Sequence, residues 1–192
     1  AMHRLAKLPS SAAERSRELR TKVEQAMHAL GEMLEHPDML ERCQPRTLSS
    51  ALWACAKRGV YLSSLFDKLG QLAMEPSFVA KFESQAVANT LWAHAKLGLR
   101  EPCAALLLSH LAEAEVLERA QPQHIATTLS AMLSLELADH SLECSDKRSP
   151  AEIATKLVNQ LARSEVVRTS RPEHISITLR AIAKLHEQGL FL

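Results

Sequence analysis

Two short segments of this chain place residues suited to nucleic-acid recognition at helical spacing. Each carries a hydroxyl or amide, an indole and an ammonium group: Ser50, Trp53 and Lys57 in SSALWACAK, and Asn89, Trp92 and Lys96 in ANTLWAHAK. Intervals of three and four residues put such a set on one face of an α-helix. Amides and hydroxyls read base edges, an indole stacks on bases, and an ammonium group meets phosphate. The spacing therefore predicts a surface for single-stranded nucleic acid.

The two segments belong to an internal repeat with four copies. The aligned segments are QPRTLSSALWACAKRGV (44–60), SQAVANTLWAHAKLGL (84–99), QPQHIATTLSAMLSLEL (121–137) and RPEHISITLRAIAKLHE (171–187). The matching anchor leucines, spaced by 39, 38 and 50 residues, are Leu52, Leu91, Leu129 and Leu179. The longest interval includes a polar insertion near 138–149. A period near 38 with matched apolar positions is typical of a solenoid.

Each unit is predicted to hold two helices. Helix A is the aligned segment, and helix B is the leucine-rich stretch before it, as in EMLEHPDMLERCQP (32–45), HLAEAEVLERAQP (110–122) and QLARSEVVRTSRP (160–172). Proline is tolerated in a first helical turn, and glycine favours a helix end. The helix A starts and ends that these residues predict are Pro45, Pro122 and Pro172, and Gly59 and Gly98.

The fold class predicted from this pattern is all-α, a right-handed α-solenoid of stacked antiparallel helix pairs with repeats of about 38 residues. Residues 1–43 are expected to form an N-terminal long helix and half-repeat, and residues 44–192 the helical repeats. Ser-x-x-Glu patterns at 11–14 and 149–152 predict capping boxes that open two helices. We expect the array to continue beyond this sequence, because a solenoid needs capped ends. The alternative is that residues 189–192 cap it.

The faces of helix A follow from counting positions from the anchor leucine at 100° per residue. Positions −4, 0 and +4 are apolar and predict the core, and position +2 is alanine in every unit, which predicts close approach of a neighbouring helix. Positions −6, −2, +1 and +5 share another face, here named the polar row. Its members are Arg46, Ser50, Trp53 and Lys57; Gln85, Asn89, Trp92 and Lys96; Gln123, Thr127, Ser130 and Ser134; and Arg180 and Lys184.

We expect the polar row to line the concave surface, with neighbouring helices about 10 Å apart, and to contact RNA. Two alternatives stay open. The tryptophans, Trp53 and Trp92, are large enough to pack between units instead of stacking on bases, and the lysines at position +5 favour a helix C-terminus in any case. In the fourth unit, Glu173 and Ile177 occupy the remaining two positions, and an isoleucine fits polar readout poorly.

The composition excludes some classes of function but does not identify one. The 192 residues include 23 basic and 22 acidic ones, so the net charge of +1 does not itself indicate nucleic acid. Four distant cysteines predict free thiols in a reducing compartment, with a structural disulfide as the alternative. We find no transmembrane stretch, signal peptide core, phosphate-binding glycine loop or catalytic motif. The chain is predicted to be a non-enzyme without cofactor or metal.

Histidines suggest structural roles. His124 and His174 occupy matching positions and are expected to be surface or capping residues. His140 and Cys144 are four residues apart in the polar insertion, a weak metal-binding pattern.

The segments PRTLSSALWACAKRG, SQAVANTLWAHAKLG and PEHISITLRAIAKL resemble the octotricopeptide repeat, whose units of about 38 residues carry a core like P-x-x-L-A-N-x-L-W-A-x-A-K-L-G. The resemblance covers roughly residues 32–192. It implies a helical solenoid in mitochondria or chloroplasts that binds single-stranded organellar mRNA or rRNA, or a subunit of an organellar ribonucleoprotein such as a mitochondrial ribosome, with other proteins as partners. The chain departs from the family in its few units and in lacking a RAP module.

Two other functions compete with RNA binding. A protein-interaction scaffold within a larger complex fits the balanced charge and the 4% aromatic content. A bacterial effector with similar repeats would be expected to carry secretion signals, which this sequence does not show.

Overall fold

The computed structural model describes residues 17–187 except 37, 40–41 and 136–148. This described part forms eleven α-helices and no β-strand, as the sequence predicts for an all-α chain. In chain order the helices are α1 (Arg17–Glu35), α2 (Pro45–Arg58), α3 (Ser63–Ala73), α4 (Pro76–Val79), α5 (Ser84–Leu97), α6 (Pro102–Leu111), α7 (Ala114–Glu118), α8 (Pro122–Ser134), α9 (Pro150–Ala162), α10 (Ser164–Thr169) and α11 (Pro172–Glu187). The capping box at 11–14 and the His140–Cys144 pair lie outside the described residues.

The predicted starts and ends of helix A are confirmed. Helices α2, α8 and α11 begin at their prolines. Helices α2 and α5 end at Gly59 and Gly98, whose φ angles of 67° and 70° are in the left-handed region that a side chain disfavours. The N–H groups of Val60 and Leu99 then bond back to the last turn, to the carbonyls of Cys55 and His94.

A capping box opens α9 as predicted. The Ser149 hydroxyl accepts from the Glu152 N–H at 3.2 Å, and the Glu152 carboxylate accepts from the Ser149 N–H at 2.9 Å. Two donors that the helix leaves unpaired are thereby satisfied, which fixes where the chain enters the helix.

The four helix A segments are neighbours in chain order. Helix α2 packs on α5, α5 on α8, and α8 on α11. A second set of helices covers one side of these: α3 contacts α2, α6 contacts α5, and α9 contacts α8, while α1 packs on α2 and α3. Equivalent positions of successive units are therefore brought side by side.

Three of the connections within the described residues contain a further short helix that the two-helix expectation missed. Helices α4, α7 and α10 lie between helix B and the next helix A. The segment predicted as one helix over 110–122 breaks because Glu113 is extended, with φ −65° and ψ 138°, and Arg163 is extended in the same way after α9. The break turns Leu117 inward, where it is buried in the core. No proline or glycine marks these breaks.

The predicted core face is confirmed at positions −4 and 0 of three helices and is wrong for the fourth helix. At position +4 only Ala56 is buried, while Ala95 and Leu133 are half-buried and Ala183 is exposed. In α2, α5 and α8 the residues at positions −4 and 0 are fully buried: Leu48, Leu52, Val87, Leu91, Ile125 and Leu129. In α11, Ile175 is 39% exposed and Leu179 is 61% exposed. The difference arises because α3, α6 and α9 cover the first three helices, and the described residues include no helix in the corresponding place on α11.

The constant alanine of helix A is buried in every unit, as predicted. The exposed fractions at this position are at most 2% for Ala54, Ala93, Ala131 and Ala181. Because the side chain at this position is only a methyl group, neighbouring helices can approach each other closely. Within the part of the chain that is described, no helix is both long and apolar enough to cross a membrane.

Candidate nucleic-acid interface

The polar row lies on the surface of adjacent helices α2, α5, α8 and α11. Eight of its fourteen members are exposed, namely Arg46, Lys57, Gln85, Lys96, Gln123, Ser134, Arg180 and Lys184. The other six are half-buried, namely Ser50, Trp53, Asn89, Trp92, Thr127 and Ser130. The structure therefore brings all fourteen to solvent, on helices that pack against one another in sequence. Contact with RNA remains a prediction.

The two tryptophans of the polar row pack against each other. The ring centroids of Trp53 and Trp92 are 6.0 Å apart with planes tilted by 35°, and both rings lie against the hydrophobic core. Such a pair stabilises the contact between α2 and α5 by about 0.5–1.5 kcal/mol beyond the area it buries. The packing alternative is therefore realised, and each indole keeps part of its surface open to solvent.

Lys57 lies beside this aromatic pair. The Lys57 Nζ lies 4.8 Å from the centroid of the Trp53 ring, a cation–π distance. Its ammonium group remains exposed, so this cation is held beside the indoles at the surface. A cation beside two partly open aromatic rings suits a stacked base and its phosphate.

The charge of the polar row differs from helix to helix. Cationic members lie on α2 (Arg46, Lys57), α5 (Lys96) and α11 (Arg180, Lys184), while α8 contributes only neutral side chains. On α8 the Ser134 hydroxyl donates to the Ser130 carbonyl of its own helix at 3.1 Å. The α2–α5 end thus combines cations, aromatic rings and amides, and α8 offers weaker chemistry.

A cleft of about 370 Å³ lies between the starts of α2 and α5. Members of the polar row that line it are Arg46, Ser50, Gln85 and Asn89. Its other lining residues are Gln44, Pro45, Ser49, Lys81, Glu83 and Ala86. Its size lies within the range of small-molecule pockets. The cleft groups three amides, two hydroxyls, two cations and one carboxylate around a space of about the size that one nucleotide needs.

Sequence reasoning missed Lys81, which precedes helix A. A signal for it exists, because the residue ten places before the anchor leucine is basic in three units: Arg42, Lys81 and Arg119. All three side chains are exposed. This recurring cation lies just before helix A, whereas the polar row is defined only by positions within that helix.

The histidines at matching positions cap their helices, as predicted. His124 Nδ1 accepts from the Gln121 N–H at 3.4 Å, and His174 Nδ1 accepts from the Arg171 N–H at 3.5 Å. The Ser84 hydroxyl also meets His124 Nδ1, at 2.9 Å, which ties the start of α5 to the start of α8. Burial, followed by the nearby His174, lowers the pKa of His124.

A histidine–cysteine pair lies in the core behind the polar row. His94 Nδ1 lies 2.8 Å from the Thr90 carbonyl, to which it donates, and Nε2 lies 3.7 Å from Cys103 Sγ. Burial lowers the pKa of His94, opposed by the Thr90 bond and the charge of Glu101. Burial raises the pKa of the Cys103 thiol to about 12, so this thiol stays protonated and unreactive.

The other cysteines of the described part are also free and buried, Cys43 and Cys55. Burial raises the pKa of Cys55 to about 12 as well. Within the described ranges, no group of three or more histidine, cysteine, aspartate or glutamate side chains is placed to hold a metal ion. Comparison with protein-family models, with curated proteins and with solved structures returned no match.

Proposed function

We propose that this chain is an RNA-binding protein, a right-handed α-solenoid with repeats of about 38 residues of the octotricopeptide type. It contacts single-stranded RNA through the polar row on the concave side of the stack. In this proposal it acts in organellar RNA metabolism, or as a subunit of an organellar ribonucleoprotein such as a mitochondrial ribosome. The observation that carries the proposal is the accessible polar row on four helices that pack in order.

The chemistry of the row supports nucleic acid over a small metabolite. Its five cations are spread over three helices, a distribution that follows a chain of phosphates better than one compact anion. Hydroxyl and amide side chains lie between them, and the open parts of Trp53 and Trp92 offer base-sized apolar surface. Stacking on such a ring contributes about 1–3 kcal/mol per base.

Binding of a labelled 20-nucleotide random-sequence RNA, measured by fluorescence anisotropy over a range of salt, tests the proposal. The affinity of the unmodified protein should fall with salt, and the double variant K57E/K96E should bind at least tenfold more weakly. The matched control K68E/K156E reverses two charges on α3 and α9, away from the row. Equal losses in both variants, or no binding by the unmodified protein, would reject the proposal.

A second candidate function, protein binding, is favoured by one observation on α11. Ile175 and Leu179 are exposed there, on the helix face that holds positions −4 and 0. The equivalent faces of α5 and α8 are covered by α6 and α9, which place leucine or isoleucine four residues apart. The fitting occupant is therefore an amphipathic helix with that spacing.

Co-purification after nuclease treatment separates the two functions. A protein partner that remains with the unmodified chain and is lost on Leu179→Glu would support docking on α11, with Lys68→Glu as the control. Partners that leave completely with the RNA would exclude it.

A further inference from the structure

We propose that the cleft between α2 and α5 is a pocket for one nucleotide of the RNA, with its phosphate bound by Lys81 and Arg46 and its base directed toward Ser50 and Asn89. This inference rests on the proposed RNA-binding function. It adds a site, a direction for the ligand and a residue outside the repeated helix, Lys81.

The lining of the cleft has two chemically distinct sets of side chains. Arg46 and Lys81 are exposed cations, and Ser50 and Asn89 are half-buried groups that both donate and accept hydrogen bonds. A nucleotide has the same division, with a charged phosphate at one end and a base edge of donors and acceptors at the other. One carboxylate, Glu83, also lines the cleft, and it limits the positive charge to what a single phosphate requires.

The cleft is open because one side chain is small. Its wall includes Ala86 on α5. The residue at the matching position of α8 is His124, which instead reaches Ser84 at the start of α5. Alanine in place of a ring leaves room between α2 and α5 that the α5–α8 pair fills with its own side chain. The α2–α5 junction therefore packs like the α5–α8 junction, except that it has an alanine where α8 has the histidine that occupies this space.

The recurring cation gives the ligand a direction. Lys81 lies just before α5, and Arg42 and Arg119 hold the matching places before α2 and α8. These three exposed cations follow the edge at which α2, α5 and α8 begin. A phosphate backbone along this edge would direct its bases toward the polar row and the Trp53–Trp92 pair, because both lie further along the same helices.

The test measures binding of the same labelled 20-nucleotide RNA to the full chain and three variants at pH 8, where histidine is neutral. Lys81→Glu should weaken binding five- to tenfold and reduce the slope of log affinity against log salt by about 0.7. Ala86→His fills the cleft with the residue that α8 carries there, without adding charge, and should weaken binding severalfold. Lys156→Glu is the matched charge-reversal control on α9, with little expected effect.

The outcomes separate the cleft from the broader function. If the unmodified protein binds RNA and both Lys81→Glu and Ala86→His behave like the control, the cleft is not a nucleotide site and the proposed function stands. If the unmodified protein shows no salt-dependent binding, both fail. Thermal unfolding by circular dichroism checks each variant. Should Ala86→His not fold, Asn89→Ala replaces it, and unchanged affinity in that variant would also overturn the proposal.

Discussion

The α2–α5 and α8–α11 pairs have the same frame and different surfaces. At the first pair, two tryptophans pack at 6.0 Å, a cleft opens beside them, and the core positions are covered. At the second, the tryptophan positions hold Ser130 and Arg180, and apolar residues of α11 face solvent. The frame that both pairs share is the buried alanine at position +2 and the ordered packing of helix A.

This difference separates the residues that hold the helices together from the residues that determine the chemistry of the surface. The alanines are buried alike in both pairs, because every junction needs close helix approach. The polar row and the residue at the position of Ala86 differ from unit to unit, because the close approach of the helices does not depend on them. The α2–α5 end is therefore the site of the proposed RNA contact, and α11 is the site at which the second candidate, a protein partner, would dock.

The largest expected effect compares two anchor leucines. Leu91→Ala should lower the free energy of unfolding by about 2–5 kcal/mol, since Leu91 is fully buried and truncation leaves a cavity. Leu179→Ala should change it by no more than about 0.5 kcal/mol, because Leu179 is 61% exposed. Urea unfolding monitored by circular dichroism measures both. Equal losses would mean that the α11 face is covered in solution, for example by a second copy.

A smaller effect is a pH dependence carried by His94. Because burial lowers its pKa in the folded chain, the neutral ring is favoured there, and the unfolded chain binds more protons below pH 6.5. Stability should be full above pH 6.5 and fall with decreasing pH through the folded pKa, with a slope of up to about 1.4 kcal/mol per pH unit from this group.

Melting temperatures between pH 8 and pH 5 check this expectation. His94→Asn should lower the melting temperature at pH 8 but reduce its fall toward pH 5. His124→Asn should also reduce that fall, because burial lowers the pKa of His124 as well. Its effect should be smaller, because His124 is only half-buried. An unchanged decline in His94→Asn would show that another group carries the pH dependence.

The sequence predicts many of the helix ends well because their signals are local. Prolines at first positions, left-handed glycines and the capping box at Ser149 each act within a few residues. The short helices α7 and α10 escape prediction, because a single extended residue, Glu113 or Arg163, makes each break without a proline or glycine.

The candidate site is less predictable because it depends on distances between units. Helical spacing shows that Trp53 and Trp92 occupy matching positions of two helices, but it does not give the 6.0 Å between their ring centroids. The cleft depends on a missing side chain at Ala86 and on Lys81 in a connection, and neither stands out within helix A. Leu179 is exposed because no helix among the described residues packs on that face of α11, and the residues of α11 do not themselves determine whether one does.

The smallest expected effect is the coupling between the two tryptophans, which tests whether the α2–α5 pair differs from α8–α11 in stability as well as in surface. A double-mutant cycle with Trp53→Ala and Trp92→Ala should give a coupling energy of about 0.5–1.5 kcal/mol in urea unfolding, because the rings contact each other. The matched cycle at Ser130 and Arg180 should give a coupling near zero, since neither side chain is aromatic. If the tryptophan cycle also gives none, each indole contributes only through its own contact with the core, and stacking a base on either ring would not weaken the helix junction.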